Sequence, residues 1–146
     1  MSSESYRAES YQADDTDEMR ALGRELAQSL EAGDVVILTG ALGAGKTTLT
    51  QGIADGLHVQ GPVTSPTFVI ARVHESLIEG PDLVHVDAYR LHSLEEVEEL
   101  DLEATASEAV TVVEWGADRA EFLSDRRIVV AIDRDSQPRT VTVLRT

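Results

Sequence analysis

Residues 40–47 read Gly-Ala-Leu-Gly-Ala-Gly-Lys-Thr, a full match to the G-x-x-x-x-G-K-[ST] pattern of a phosphate-binding loop. The chemistry such a loop performs is anion capture. Glycine lets the backbone take positive φ without a Cβ clash, so Gly40, Gly43 and Gly45 can curl their chain neighbours' N–H groups inward. Those donors, backed by the start of a helix, form an anion nest suited to a triphosphate. Lys46 is the only lysine of the chain, the other basic residues being arginines. A compact ammonium on a flexible stem reaches the outer phosphates inside the loop, where the broad guanidinium fork does not fit. The Thr47 hydroxyl is placed to ligate Mg²⁺.

Two carboxylates are the next candidates. Asp87 ends the apolar run Leu83-Val84-His85-Val86, and Glu114 ends Val110-Thr111-Val112-Val113. An acid at the end of a buried strand beside a phosphate loop holds Mg²⁺ or the attacking water, although either alone reads equally well as a polar strand end. Trp115, the single tryptophan, is a core aromatic or a wall of the nucleotide pocket. His58, His74, His85 and His92 show no metal-ligand spacing and read as surface or internally satisfied residues. There is no cysteine and no G-x-S-x-G nucleophile. Guanine readout through an Asn-Lys-x-Asp segment is excluded, because the chain has no asparagine and its one lysine is already in the loop. ATP is therefore the expected nucleotide.

These groups need rigid elements to hold them. Asp15 and Glu18 have capping-box spacing, and Leu22, Leu26 and Leu30 follow at i, i+4 and i+8, so a helix is expected there, ending at Gly33. Val35–Leu38 is a short apolar run with the character of a strand buried on both faces. A second helix is expected from about Lys46, with Leu49, Ile53 and Leu57 aligned. Strands are expected over Thr67–His74, Leu83–Asp87, Val110–Glu114, Arg127–Asp133 and Thr140–Leu144, with a turn over 79–82, a turn around Pro138 and a helix between 87 and 110. Alternation of this kind predicts an α/β, P-loop NTPase-like three-layer fold with a mostly parallel central sheet and antiparallel edge strands. Residues 1–146 read as one domain, with a loose start over about residues 1–10.

The formal charge of −15, from 27 acids against 12 basic residues, repels phosphate backbones, so autonomous nucleic-acid binding is not expected. Glu95–Glu108 concentrates the acidity and reads as a solvated helix face, or alternatively as a dock for a basic partner. No apolar run is long enough for a membrane span, the N-terminus has no signal-peptide character, and the absence of cysteine is compatible with the cytosol.

The blocks GALGAGKTTLTQGIADGL, VTSPTF (Val63–Phe68), HVDAYRL (His85–Leu91) and VVEWG (Val113–Gly116) occur together in an order and spacing that resembles the TsaE (YjeE) family, bacterial ATPases of tRNA threonylcarbamoyladenosine biosynthesis. The resemblance spans nearly the whole chain. It implies an Mg-ATP-dependent ATPase acting with a threonylcarbamoyl-transferase heterodimer of the TsaB–TsaD type, which reaches tRNA only through that complex. By position, it implies that residues 40–48 hold ATP, that Thr47 and Glu114 bind Mg²⁺, and that Asp87 serves hydrolysis close to the γ-phosphate with Lys46. It also places Ser65 and Thr67 on a switch-like loop facing the nucleotide, with Trp115 flanking the site and Tyr89 and Arg90 in the same block. The sequence departs from the family pattern at Ala41, where an acid is common, and at Asp101, where glycine is expected. A small-molecule kinase and a non-catalytic ATP-gated adaptor use the same loop and stand as alternatives.

Overall fold

The computed structural model describes residues 7–40, 45–61, 71–87, 108–114, 127–133 and 138–145. Seven strands and two helices follow in the order β1 (Arg7–Ala13), α1 (Thr16–Ala27), β2 (Val35–Gly40), α2 (Lys46–Leu57), β3 (Ala71–His74), β4 (Asp82–Asp87), β5 (Ala109–Glu114), β6 (Arg127–Asp133) and β7 (Arg139–Arg145). The strands form one sheet in the order β1-β7-β6-β2-β5-β4-β3. Its centre, β6-β2-β5-β4, is parallel, while β3 and the β7-β1 pair add antiparallel edges. This is the α/β architecture expected from the alternation of apolar runs.

β2 lies at the middle of the sheet, and its apolar run suits a strand covered on both faces. Val35, Val36, Ile37 and Leu38 are at most 1% exposed. Burial of such side chains stabilises the fold by roughly 1.5–3 kcal/mol each before conformational entropy is charged against it. Val36 and Leu38 face the core shared with Leu49, Ile53 and Leu57 of α2 and with Met19, Leu22 and Leu26 of α1. Val35 and Ile37 point the other way, as strand alternation requires, and are equally buried.

α1 starts where the sequence indicates. Asp15 is its N-cap and accepts from the Glu18 N–H at 2.8 Å, while the Glu18 carboxylate returns a bond to the Asp14 N–H at 2.6 Å. The helix ends earlier than expected, at Ala27 with Gln28 as C-cap, so Gly33 does not terminate it. Gly33 instead takes φ 98° in the turn entering β2, where its N–H donates to the Ala109 carbonyl.

The two helices meet backbone to backbone. A Cβ on Gly52 would lie 2.9 Å from the Arg20 carbonyl carbon and 3.0 Å from Gly23 Cα, and one on Gly23 would lie 2.8 Å from Gly52 Cα. Glycine at both positions is what allows α2, and with it the residues at its N-terminus, to seat against α1.

The sequence reading contains no strand before α1. The segment Arg7–Ala13 is nonetheless β1, paired along its length with β7. The expected strands recur as β4–β7 within a residue or two. β3 covers the second half of Thr67–His74, and the first half lies outside the described residues. So do the helix expected between 87 and 110, residues 134–137 of the turn before Pro138, Asp101, and all of the acidic stretch except Glu108, which is exposed.

Candidate functional site

The parallel centre puts the carboxyl ends of β2, β4 and β5 at one edge of the sheet. Register fixes which residues share that edge. Leu38 of β2 pairs with Glu114 of β5, and Glu114 pairs with Asp87 of β4. Thus the two acids picked out by sequence are Cα partners, two residues below the point where β2 runs out into the phosphate loop. This is the place where open α/β sheets bind ligands.

The loop leaves β2 at Gly40 (φ 153°) and enters α2 through Gly45 (φ 114°). A side chain at either would be strained, and a Cβ on Gly45 would also press on Met19 Cε at 3.2 Å. Gly45 caps the helix without a side-chain bond, so no cap side chain takes up the N–H groups of the first turn. Lys46 is only 6% exposed, and its Nζ donates to the Gly40 carbonyl at 2.7 Å. The lysine therefore folds back over the loop, from its far end to its beginning. Thr47 and Thr48 are half-buried at the helix start, and Thr50 ties the turn with a hydroxyl bond to the Lys46 carbonyl at 2.8 Å. Ala41, Leu42, Gly43 and Ala44 lie outside the described residues, as do Ser65, Thr67, Tyr89, Arg90 and Trp115.

Glu114 is 7% exposed. Its Oε2 accepts from Nε2 of His85 on β4 at 2.5 Å, and His85 is fully buried. His85 is thus a strand residue satisfied through Nε2, as one of the two expected readings has it, and its partner is a candidate metal ligand. The signal was present, since a polar residue inside Leu83-Val84-His85-Val86, a run buried throughout, requires a hydrogen-bonding partner. Which partner depends on the β4–β5 register, which one sequence does not reveal. His74 is also buried, with Nδ1–H donating to the Gln60 carbonyl at 2.9 Å, whereas His58 is exposed and takes a left-handed conformation at the end of α2.

Arg139, at the start of β7, was also missed. Its Nη1 lies 3.5 Å from the position a Cβ on Gly45 would occupy, which brings a guanidinium beside the loop.

The donors expected from the sequence, the Thr47 hydroxyl and the Glu114 carboxylate, are both hard oxygens. Among the described residues no group of three or more His, Cys, Asp or Glu could enclose a metal ion by itself. Such a set fits Mg²⁺, which takes one or two protein oxygens and completes its shell with phosphates and water. No described helix is long and apolar enough to cross a membrane.

Comparison with known proteins agrees with the motif blocks. The family model of the threonylcarbamoyl adenosine biosynthesis protein TsaE matches residues 13–141. The chain is 62% identical over 117 residues to a Streptomyces coelicolor protein named tRNA threonylcarbamoyladenosine biosynthesis protein TsaE, covering 80% of this chain and 79% of that one. A Mycobacterium tuberculosis protein of the same name is 51% identical over 126 residues, covering 82% and 75%. The crystal structure of Bacillus subtilis YdiB superposes with a TM-score of 0.75 at 29% identity, over 96% of this chain and 86% of that one. From residue 13 to residue 141, in sequence and in fold, this chain belongs to the TsaE family.

Proposed function

We propose that the chain is an Mg-ATP-binding ATPase required for threonylcarbamoyl modification of tRNA adenosine, working in the cytoplasm with a transferase heterodimer of the TsaB–TsaD type. The observation that carries this reading is the buried Lys46, folded over a loop whose ends are fixed by positive-φ glycines at the carboxyl end of the central strand. In this reading residues 40–48 cradle the phosphates through backbone N–H groups, and Lys46 exchanges its bond to the Gly40 carbonyl for the outer phosphates. That exchange replaces a neutral acceptor with an anionic one, a hydrogen bond about twice as strong.

Thr47 and Glu114 would hold Mg²⁺. When bound there, the ion would supply positive charge against the phosphates. Asp87, the Cα partner of Glu114, orients the attacking water. Ser65, Thr67 and Trp115 complete the nucleotide surroundings. The −15 charge suits a protein that meets tRNA through partners and not directly.

The test is ATP hydrolysis by the purified chain, alone and with the transferase pair and tRNA, beside Lys46→Ala. Weak turnover that rises with the partners and disappears in the variant is expected. Turnover equal in Lys46→Ala, or indifferent to the partners, would refute the proposal.

A further inference from the structure

His85 occupies a position where a histidine costs stability. β4 is apolar around it, with Leu83 and Val86 at 0% exposure and Val84 at 3%. A carboxylate can only accept, so the bond to Glu114 uses Nε2–H, and Nδ1 is buried with no hydrogen-bond partner. A leucine there would bury more apolar surface and leave no orphaned ring nitrogen, but it would take the donor away from Glu114 Oε2. What the histidine offers in exchange is one contact, and that contact is with the carboxylate at the carboxyl end of β5, beside β2 and its phosphate loop.

We propose that His85 is a positioning residue for Glu114. Glutamate has three rotatable side-chain bonds, and a free one would have to be ordered each time it took up a cation. The Nε2–H bond ties down Oε2 in advance. The Glu114 side chain as a whole is 9% exposed, and this bond engages Oε2 alone, which leaves Oε1 for the cation held with the nucleotide. The bond spans two neighbouring parallel strands, so the geometry is set by the sheet itself and not by a loop. Partners of this kind, placed behind a metal ligand, typically change metal affinity 10- to 100-fold when removed. The inference rests on the magnesium–nucleotide reading above.

The experiment is a Mg²⁺ titration of the full chain with a fluorescent ATP analogue, repeated in EDTA to measure metal-free nucleotide binding, with circular dichroism as the check on folding. His85→Leu is expected to raise the Mg²⁺ concentration at half-effect about 10- to 100-fold, with metal-free binding unchanged. His85→Gln, whose amide N–H can reach the same oxygen, restores most of the loss. In a Glu114→Gln background, where no carboxylate remains to be positioned, His85→Leu adds nothing. An unchanged Mg²⁺ dependence in folded His85→Leu overturns the inference alone. A wild-type chain that binds the analogue without any Mg²⁺ dependence overturns the magnesium reading and the inference with it. Should His85→Leu not fold, His85→Gln against the shorter His85→Asn decides: a weaker Mg²⁺ response in Asn supports the positioning role, and equal responses overturn it.

Discussion

Gly52→Ala tests the α1–α2 crossing that seats the phosphate loop. Two effects oppose each other. Alanine in a helix interior is favoured over glycine by about 1 kcal/mol. Against this, the new Cβ would meet the Arg20 carbonyl oxygen and carbon and Gly23 Cα, the latter two at 2.9 and 3.0 Å. All three are backbone atoms, so no rotamer change relieves the contact and the helices must part. Overpacking of this kind costs about 1–3 kcal/mol and more where the neighbours cannot yield. Parting the helices also loosens Leu22 and Leu26 against Leu49 and Ile53, all of them at most 6% exposed. The steric side wins, with a net loss of about 2 kcal/mol, or roughly 4–8 °C in Tm for a chain of this length. Lys46 and Thr47 head the displaced helix, so nucleotide affinity should fall as well. Thermal melts followed by circular dichroism give the first result and analogue binding the second. Gly80→Ala is the control, since its nearest neighbour would be Ser76 Oγ at 3.6 Å, and it should stay within about 0.5 kcal/mol of wild type. A Gly52→Ala protein that melts at or above the wild-type temperature would refute backbone contact between the helices.

Asp15→Ala removes the acceptor for the Glu18 N–H and should cost about 1 kcal/mol, near 2–4 °C in a melt, while Asp15→Asn keeps the bond and most of the stability. His74 gives a pH dependence. Burial chiefly, with the charges of His85 and Arg72 adding to it and the Gln60 carbonyl opposing, holds its pKa below 6.5. The folded state then binds fewer protons than the unfolded one, so stability is complete above the unfolded value of about 6.5 and is lost as pH falls below it, by at most about 1.4 kcal/mol per unit. Denaturant midpoints at pH 7.5 and about 5.5 should differ less in His74→Gln, which keeps a donor for Gln60 and does not titrate; an equal difference would remove His74 from the account.

Much of the site was legible because its signals are local. The phosphate loop is contiguous, its flanks are a β-branched run and an aligned leucine–isoleucine stripe, and α1 begins on a capping pair three residues apart. β1 was not legible for a physical reason. Glu9-Ser10-Tyr11-Gln12 lacks apolar alternation, as suits an edge strand paired on one side that gives Ala13 and part of Tyr11 to the core, and its pairing with β7 joins residues more than 120 positions apart. The Gly23–Gly52 crossing was hidden likewise, since glycine within a helix reads as a weakness until the partner backbone is seen.

The same limit explains the unequal success with the two acids and the histidine between them in function. Asp87 and Glu114 can be singled out because each interrupts an apolar run at its end, and a strand end at the carboxyl edge of a parallel sheet is a functional address. His85 interrupts its run in the middle, at an address that belongs to the core. In the core the rule is different: a polar group persists only if another buried group needs it. The identity of that group then follows from register. β4 and β5 align Asp87 with Glu114, and the carboxylate of Glu114 meets the imidazole of His85, two residues back along β4. A buried histidine in a parallel sheet should therefore be read by asking which strand-end carboxylate its neighbours bring within hydrogen-bonding distance. By that question His85 belongs with Glu114 at the carboxyl edge of the sheet, although it stands in the core.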